Sequence, residues 1–291
     1  MNKAKFDLII KQNLIKNNVP PNSFGYTLWK KFENYYCKTA FDTFLREMQA
    51  QYPNAYTDYS QGKGDELQEH QAPYGLLPPK MASVASSSRF CYLALRENAT
   101  ELENTIPVQF EYECRIRGIS GTAPQLDAYI PERNIFFEVK CHEIFDWHTP
   151  TMKIKYWEHI YGKENRFGFP IQAIPNQKNF SIPFSHFDIQ KRQTRFDVKQ
   201  FICHLLGIAT NKSPTKKATL VYLFFKPKTE DCKDRSEIEE VFQELQEEIR
   251  AIFNCKPIQN FTAYHHITLQ AIVEYSETMQ PLTKKNVLSL L

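Results

Sequence analysis

The chain has 291 residues, of which 42% are hydrophobic and 24% charged, with a formal net charge of +3. That is enough chain for one large domain, or one domain with an appendage, and the composition is that of a globular fold. The charge is too mild to argue for a nucleic-acid partner. Only 9 glycines, and neither GxGxxG nor GxxxxGK[ST], argue against a glycine-rich nucleotide-binding loop. No run approaches the roughly 18 apolar residues of a membrane span.

The seven cysteines are scattered, odd in number and form no CxxC. A disulfide framework or zinc site is therefore not expected, and a reducing cytoplasm is. The N-terminal MNKAKFDLIIKQN has no long apolar segment of the signal-peptide kind.

Residues 5 to 16 read as a short helix and 28 to 51 as a longer one. In the second, Trp29, Phe32, Tyr36, Ala40, Phe44 and Met48 recur at helical spacing and read as core. The polar stretch 57 to 81 reads as loop. Ser86, Ser87 and Ser88 offer N-caps for a helix through RFCYLALRENA. VQFEYECRI (108 to 116) alternates, with Phe110, Tyr112, Cys114 and Ile116 on one face and Glu111, Glu113 and Arg115 on the other. Strands follow at 124 to 130 and 135 to 141, then an irregular segment at 142 to 193. A helix at about 196 to 206 ends near Gly207. A buried strand spans 217 to 226, an amphipathic helix 236 to 253 and a last strand 267 to 275. The order α-β-β-β-α-β-α-β is that of an α/β fold, with no internal repeat.

LDAYIPERNIFFEVK (126 to 140) is the informative stretch. An even loop, at 132–133 or 131–134, puts Asp127 directly opposite Glu138, and Lys140 opposite Gln125 on the same face. Leu126, Ala128 and Ile130 then meet Val139, Phe137 and Ile135 on a wholly apolar face. A one-residue slip would mix the faces and bury charge, so the pattern selects this register. Opposed like charges are destabilising. A divalent cation between the two carboxylates would account for them, since Mg²⁺ prefers oxygen ligands. Lys140 could then orient a water and steady the charge on phosphorus. The competing reading is an ordinary amphipathic hairpin with Asp, Glu and Lys on its wet face.

Asp127, ten residues, then Glu138-Val139-Lys140 resembles the D…ExK signature of the PD-(D/E)XK nuclease superfamily. The element order from 86 to 225, about half the chain, is similar to that superfamily's core. PPKMASVASSSRF (78 to 90) and DVKQFICHLLG (197 to 207) resemble a bacterial restriction-endonuclease-like subgroup. The resemblance implies a restriction-endonuclease-like αβββαβ core, a mixed sheet flanked by helices, with a helical N-terminal region. Residues 1–85 would pack on a core of 86–291 that carries an insertion at 142–193. It implies Mg²⁺, with Mn²⁺ able to substitute, held by Asp127, Glu138 and the Val139 carbonyl. Lys140 would be the catalytic lysine and Gln200 a supporting residue, in a QxxxH pattern with His204 where a Tyr is usual. A further acid would come from Glu97, Glu111 or Glu113, with Glu113 preferred. The residue before Asp127 is Leu126, a departure from the signature's name. The implied partners are DNA, a second copy of the chain and a modification enzyme of the same system.

Residues 151 to 217 hold 12 Lys or Arg against 4 Asp or Glu. Lys153, Lys155, Arg166, Lys191, Arg192 and Arg195 could track phosphates there, beside Tyr156, Trp157, Phe167 and Phe169. The alternative is a solvated surface with aromatics packed beneath it. The stretch 226 to 250, with 5 basic and 9 acidic residues, would face away from DNA or toward a protein partner. His142 shares the face of Lys140 and is a peripheral candidate, while His265-His266 reads as structural. Cys141 falls on the core side. The function these features imply is a Mg²⁺-dependent endonuclease cutting DNA. The alternative is a nuclease-like fold that binds nucleic acid without cutting.

Overall fold

The computed structural model describes residues 1–26, 32–62, 64–73, 75–96, 107–121, 123–156, 159–160, 166–169, 172–173, 178–182, 193–211, 216–227 and 234–276. The N-terminal part holds α1 (Lys3–Lys16), α2 (Lys38–Gln51), α3 (Pro53–Gln61) and a hairpin of β1 (His70–Ala72) with β2 (Gly75–Leu77). Next come α4 (Ser87–Leu95), β3 (Gln109–Glu113), β4 (Gln125–Ile130) and β5 (Ile135–Lys140). Short strands β6 (Thr151–Lys153), β7 (Gln172–Ala173) and β8 (Asn179–Ser181) form a small antiparallel sheet in the segment expected to be irregular. The chain continues through α5 (Val198–Asn211), β9 (Ala218–Pro227), α6 (Arg235–Asn254), α7 (Lys256–His265) and β10 (Ile267–Ser276).

The fold is α/β. Its main sheet runs β10-β9-β5-β4-β3, with β3, β4 and β5 antiparallel and β5, β9 and β10 parallel. β5 is therefore an interior strand, and residues Ile135 to Val139 are all buried. That explains its nearly continuous apolar run. α4 covers one face, where the Phe90 and Phe225 rings meet at 4.9 Å. α5 covers the other, where Phe201 lies 5.9 Å from Tyr222.

The hairpin has the expected register: Ala128 pairs with Phe137, Tyr129 with Phe136 and Ile130 with Ile135. Its loop is the four residues 131 to 134. Asn134 closes it in the left-handed region (φ 56°), which Asn tolerates better than most residues. The Asn134 amide donates to the Lys217 carbonyl at 2.6 Å, and its own carbonyl accepts from Thr219 at 3.0 Å. The turn thus also aligns β5 with β9.

Several boundaries differ from expectation. The second helix begins at Lys38; Tyr35 and Tyr36 instead make strand-like bridges to Ser83 and Phe24, and Trp29 lies outside the described residues. Part of the supposed loop 57–81 is α3, started by Pro53 in the first turn where a missing N–H costs nothing. The Ser86 cap is as expected: its hydroxyl accepts from the Arg89 N–H at 3.1 Å. Buried Arg89 is sandwiched between Tyr36 and Phe44, 4.0 and 4.1 Å from their ring centroids, which ties the N-terminal helices onto α4.

β3 does not alternate as read. Glu111 has φ 51° and makes no strand pairing, while its neighbours pair with β4 on either side. The kink reverses the faces. Phe110 packs on Tyr59 and Tyr92, whereas Tyr112 joins Tyr129 and Phe136, 4.5 and 5.8 Å away.

α5 runs through Gly207 to Asn211 and does not stop there. Gly207 is required by packing: a Cβ would lie 2.5 Å from the Cys114 carbonyl oxygen and 2.8 Å from its sulfur. Helix propensity alone favours Ala over Gly by about 1 kcal/mol. Overpacking costs about 1–3 kcal/mol, and here the neighbour is rigid backbone. Gly207→Ala should therefore lower the urea midpoint with an unchanged m-value, and a raised midpoint would show that α5 does not press on β3.

Candidate active site

The pairing of β4 with β5 stops at Ala128 and Phe137, so the expected pairs of Asp127 with Glu138 and of Gln125 with Lys140 are not formed. The Val139 N–H instead donates to Asp127 Oδ2 at 2.6 Å. The Asp127 side chain therefore sits at the junction where the two strands part. Glu138, one residue further in on β5, is only 3% exposed. The face expected to be wet is covered by α5, whose His204 lies over Glu138, while β9 flanks β5 within the sheet. Lys140 reaches back along the same face to Glu138, Nζ to Oε1, at 2.7 Å.

His204 on α5 closes this face. Its Nε2 lies 3.0 Å from the Gln125 carbonyl oxygen and its Nδ1 3.0 Å from the Tyr222 hydroxyl. A carbonyl only accepts, so Nε2 carries the proton and Nδ1 accepts from Tyr222. Burial keeps the imidazole below its usual pKa despite the pull of Glu138. Glu138 Oε2 is 3.7 Å from Nε2, and among the described residues no hydrogen bond reaches it. A buried carboxylate oxygen with no donor is costly, and such an orphan calls for an explanation.

The charges around Lys140 do not balance. Burial, then Glu138, holds the Asp127 carboxyl well above the usual range, with Lys140 opposing. Burial alone would lower the Lys140 ammonium, but Glu138, Glu143 and Asp127 outweigh it and raise its pKa, so Lys140 is charged. Burial works against the Glu143 carboxylate too, yet Lys140 and His142 keep it below its usual value, and it accepts from the Cys141 N–H at 2.8 Å. Glu111 is pushed up to about 7 by burial and by Glu66 and Glu138. A buried acidic group with one central lysine is short of positive charge.

A cavity of about 400 Å³ opens beside Lys140. Gln200, His148, Asp197, Lys199 and Arg195 are among its walls, whereas Asp127 and Glu138 are not. α5 delivers Gln200 because Asp197 caps its first turn, Oδ1 accepting the Gln200 N–H at 2.9 Å. Lys140, Gln200 and Arg195 thus meet at one cavity.

Other expected residues lie elsewhere. Glu113 pairs with Arg115 at 2.7 Å, and the kink at Glu111 turns it away from the Glu138 face. Glu111, the alternative acid, is the one coupled to Asp127 and Glu138. Glu97, Lys191 and Arg192 lie outside the described residues. Lys153 is exposed on the small sheet, Lys155 donates to the Ser120 carbonyl, and Arg166 donates to the Tyr264 hydroxyl at 2.8 Å. Arg195 pairs with Glu244 and lies over Trp147, so the acidic helix α6 anchors one of the basic residues. His142 faces Asp7 of α1 at 2.9 Å and not the site, and Cys141 is buried as expected.

Tyr222, Glu143 and Glu66 were not anticipated. Tyr222 stands opposite Glu138 through a parallel pairing that no local pattern encodes. Glu143 had a readable signal, being an acid three residues past Lys140. Among the described residues no three His, Cys, Asp or Glu side chains are arranged to hold a metal ion. The expected ligands, Asp127, Glu138 and the Val139 carbonyl, include only two such side chains. Comparison with models of protein families, with curated proteins and with solved structures finds no match.

The Glu111 shift has a signed consequence. An unfolded Glu titrates near 4.3. The folded carboxyl holds its proton to about 7. Its contribution to stability is therefore present below about pH 4.3 and lost as pH rises through about 7. With chelator present, Glu111→Gln should raise the melting midpoint more at pH 8 than at pH 5. Equal shifts at both pH values would contradict the assignment.

Proposed function

We propose that the chain is a Mg²⁺-dependent endonuclease that hydrolyses phosphodiester bonds in DNA, of the restriction type. The observation that carries this reading is Glu138: buried, bonded through one oxygen to Lys140, orphaned at the other, and beside an Asp127 seated where two strands part. The order α4-β3-β4-β5-α5-β9 and the mixed sheet accord with the αβββαβ core that the resemblance implies.

The donor set fits a hard dication. Two carboxylates and a carbonyl offer oxygen only, and the surplus of buried acid would be relieved by added positive charge. Bound there, Mg²⁺ would polarise a phosphoryl oxygen and acidify a water. The protein's own residues supply the rest. Lys140 is held protonated by three carboxylates, so it is a hydrogen-bond donor to phosphate and not a base. Gln200, at the same cavity, can hold a phosphate oxygen or a water. Lys199 brings a further positive charge to the wall. α5 and β9 keep water from Glu138, which strengthens each of these interactions.

Purified protein should cut duplex DNA with Mg²⁺ or Mn²⁺ and stop on chelation. Lys140→Ala should lose about 10²–10³ in rate, and Asp127→Asn, which is isosteric and neutral, should lose activity while keeping its circular dichroism. Full cleavage by either variant would sink the assignment. Salt-dependent DNA binding by wild type, without cleavage under any of these metals, would favour a non-cleaving binding module.

A further inference from the structure

The cavity beside Lys140 contains a second imidazole that plays no part in the arrangement above. His148 is fixed by its backbone, which exchanges two hydrogen bonds with Thr194 at 2.8 and 3.0 Å. Its Nδ1 lies 3.4 Å from Asp197 Oδ2. Asp197 is itself immobilised, because its other oxygen caps α5 at the Gln200 N–H. A carboxylate at Nδ1 selects the tautomer or charge state in which Nδ1 bears hydrogen, and it orients the ring. Among the described residues nothing hydrogen-bonds Nε2. Both the imidazole and Asp197 line the cavity with Lys140 and Gln200.

We infer that His148, positioned by Asp197, is the general acid that protonates the leaving oxygen during phosphodiester hydrolysis. This rests on the nuclease reading. The other groups at the cavity are engaged or unsuited. Both nitrogens of His204 are bonded. Lys140 is bound to Glu138 and Arg195 to Glu244. Asp146 pairs with Lys3, and Glu143 accepts from the Cys141 N–H. The cavity phenol Tyr222 donates to His204, and Tyr156 lies with Cys203, both being pushed above their usual range by burial. Lys199 is an ammonium, a far weaker acid than an imidazolium. The charged groups that wall the cavity with His148 are Asp197, Asp146, Glu143, Arg195, Lys199 and Lys140.

The step balances without a co-reactant. A water oxygen bonds to phosphorus and releases its proton to solvent. The bond from phosphorus to the bridging oxygen breaks, and its electron pair takes the Nε2 proton. The imidazole is then reprotonated from solvent.

The test compares wild type with His148→Gln on two substrates: DNA with the natural linkage, and DNA with sulfur replacing the bridging oxygen at the leaving position. A thiolate leaves without a proton. The variant should cut the natural linkage about 10²-fold more slowly, with the rate no longer falling at high pH, yet cut the sulfur linkage within about threefold of wild type. Equal losses on both substrates would mean a structural role and overturn the inference, as would no loss on either. If wild type itself cuts neither linkage with Mg²⁺ or Mn²⁺, the nuclease reading fails and this step with it. If wild type cuts and only the selective loss is missing, the inference alone fails.

Discussion

An ionisable side chain in the middle strand of a sheet is the constraint around which this molecule is arranged. Glu138 cannot be solvated, because β4 and β9 flank its strand and α5 lies over it. Taking a carboxylate out of water costs several kcal/mol unless it is paired. One oxygen meets Lys140, and among the described residues the other has no hydrogen-bond partner, His204 Nε2 lying 3.7 Å away. His204 directs its Nε2 proton at the Gln125 carbonyl instead. A fold selected only for stability would place an apolar residue here. On the nuclease reading, the stability given up at Glu138 is what the proposed cation site requires.

The rest of the scaffold serves to hold that arrangement. The left-handed Asn134 sets the hairpin register and, through Lys217 and Thr219, the alignment of β9. That alignment brings Tyr222 opposite Glu138, and Tyr222 in turn orients His204. Gly207 lets α5 approach β3 closely enough for His204 to reach the Gln125 carbonyl. Asp197 caps the same helix where Gln200 and His148 meet the cavity. A chain of local requirements therefore converges on one carboxylate.

What could be read in advance follows from range. The hairpin register was legible because an even loop and a period-two pattern are both local. Its wetness was misjudged, since burial of the second face depends on α5, which lies far downstream in the sequence. α5 was expected to stop at Gly207 because glycine commonly ends helices, and here it answers a packing demand from Cys114 instead. The preference for Glu113 over Glu111 failed at one dihedral: strict alternation cannot foresee a left-handed residue inside a strand. α7 and the β1–β2 hairpin were missed because their apolar periodicity is short.

On the proposed reading, Asp127 and Glu138 are kept buried in order to hold a divalent cation. The most direct measurement is titration of Mn²⁺ followed by electron paramagnetic resonance, on wild type and on Asp127→Asn and Glu138→Gln. Saturable Mn²⁺ binding by wild type, competed by Mg²⁺ and weakened at least tenfold in both variants, is the predicted result. Mn²⁺ binding that is absent in wild type, or unchanged in the variants, would contradict it.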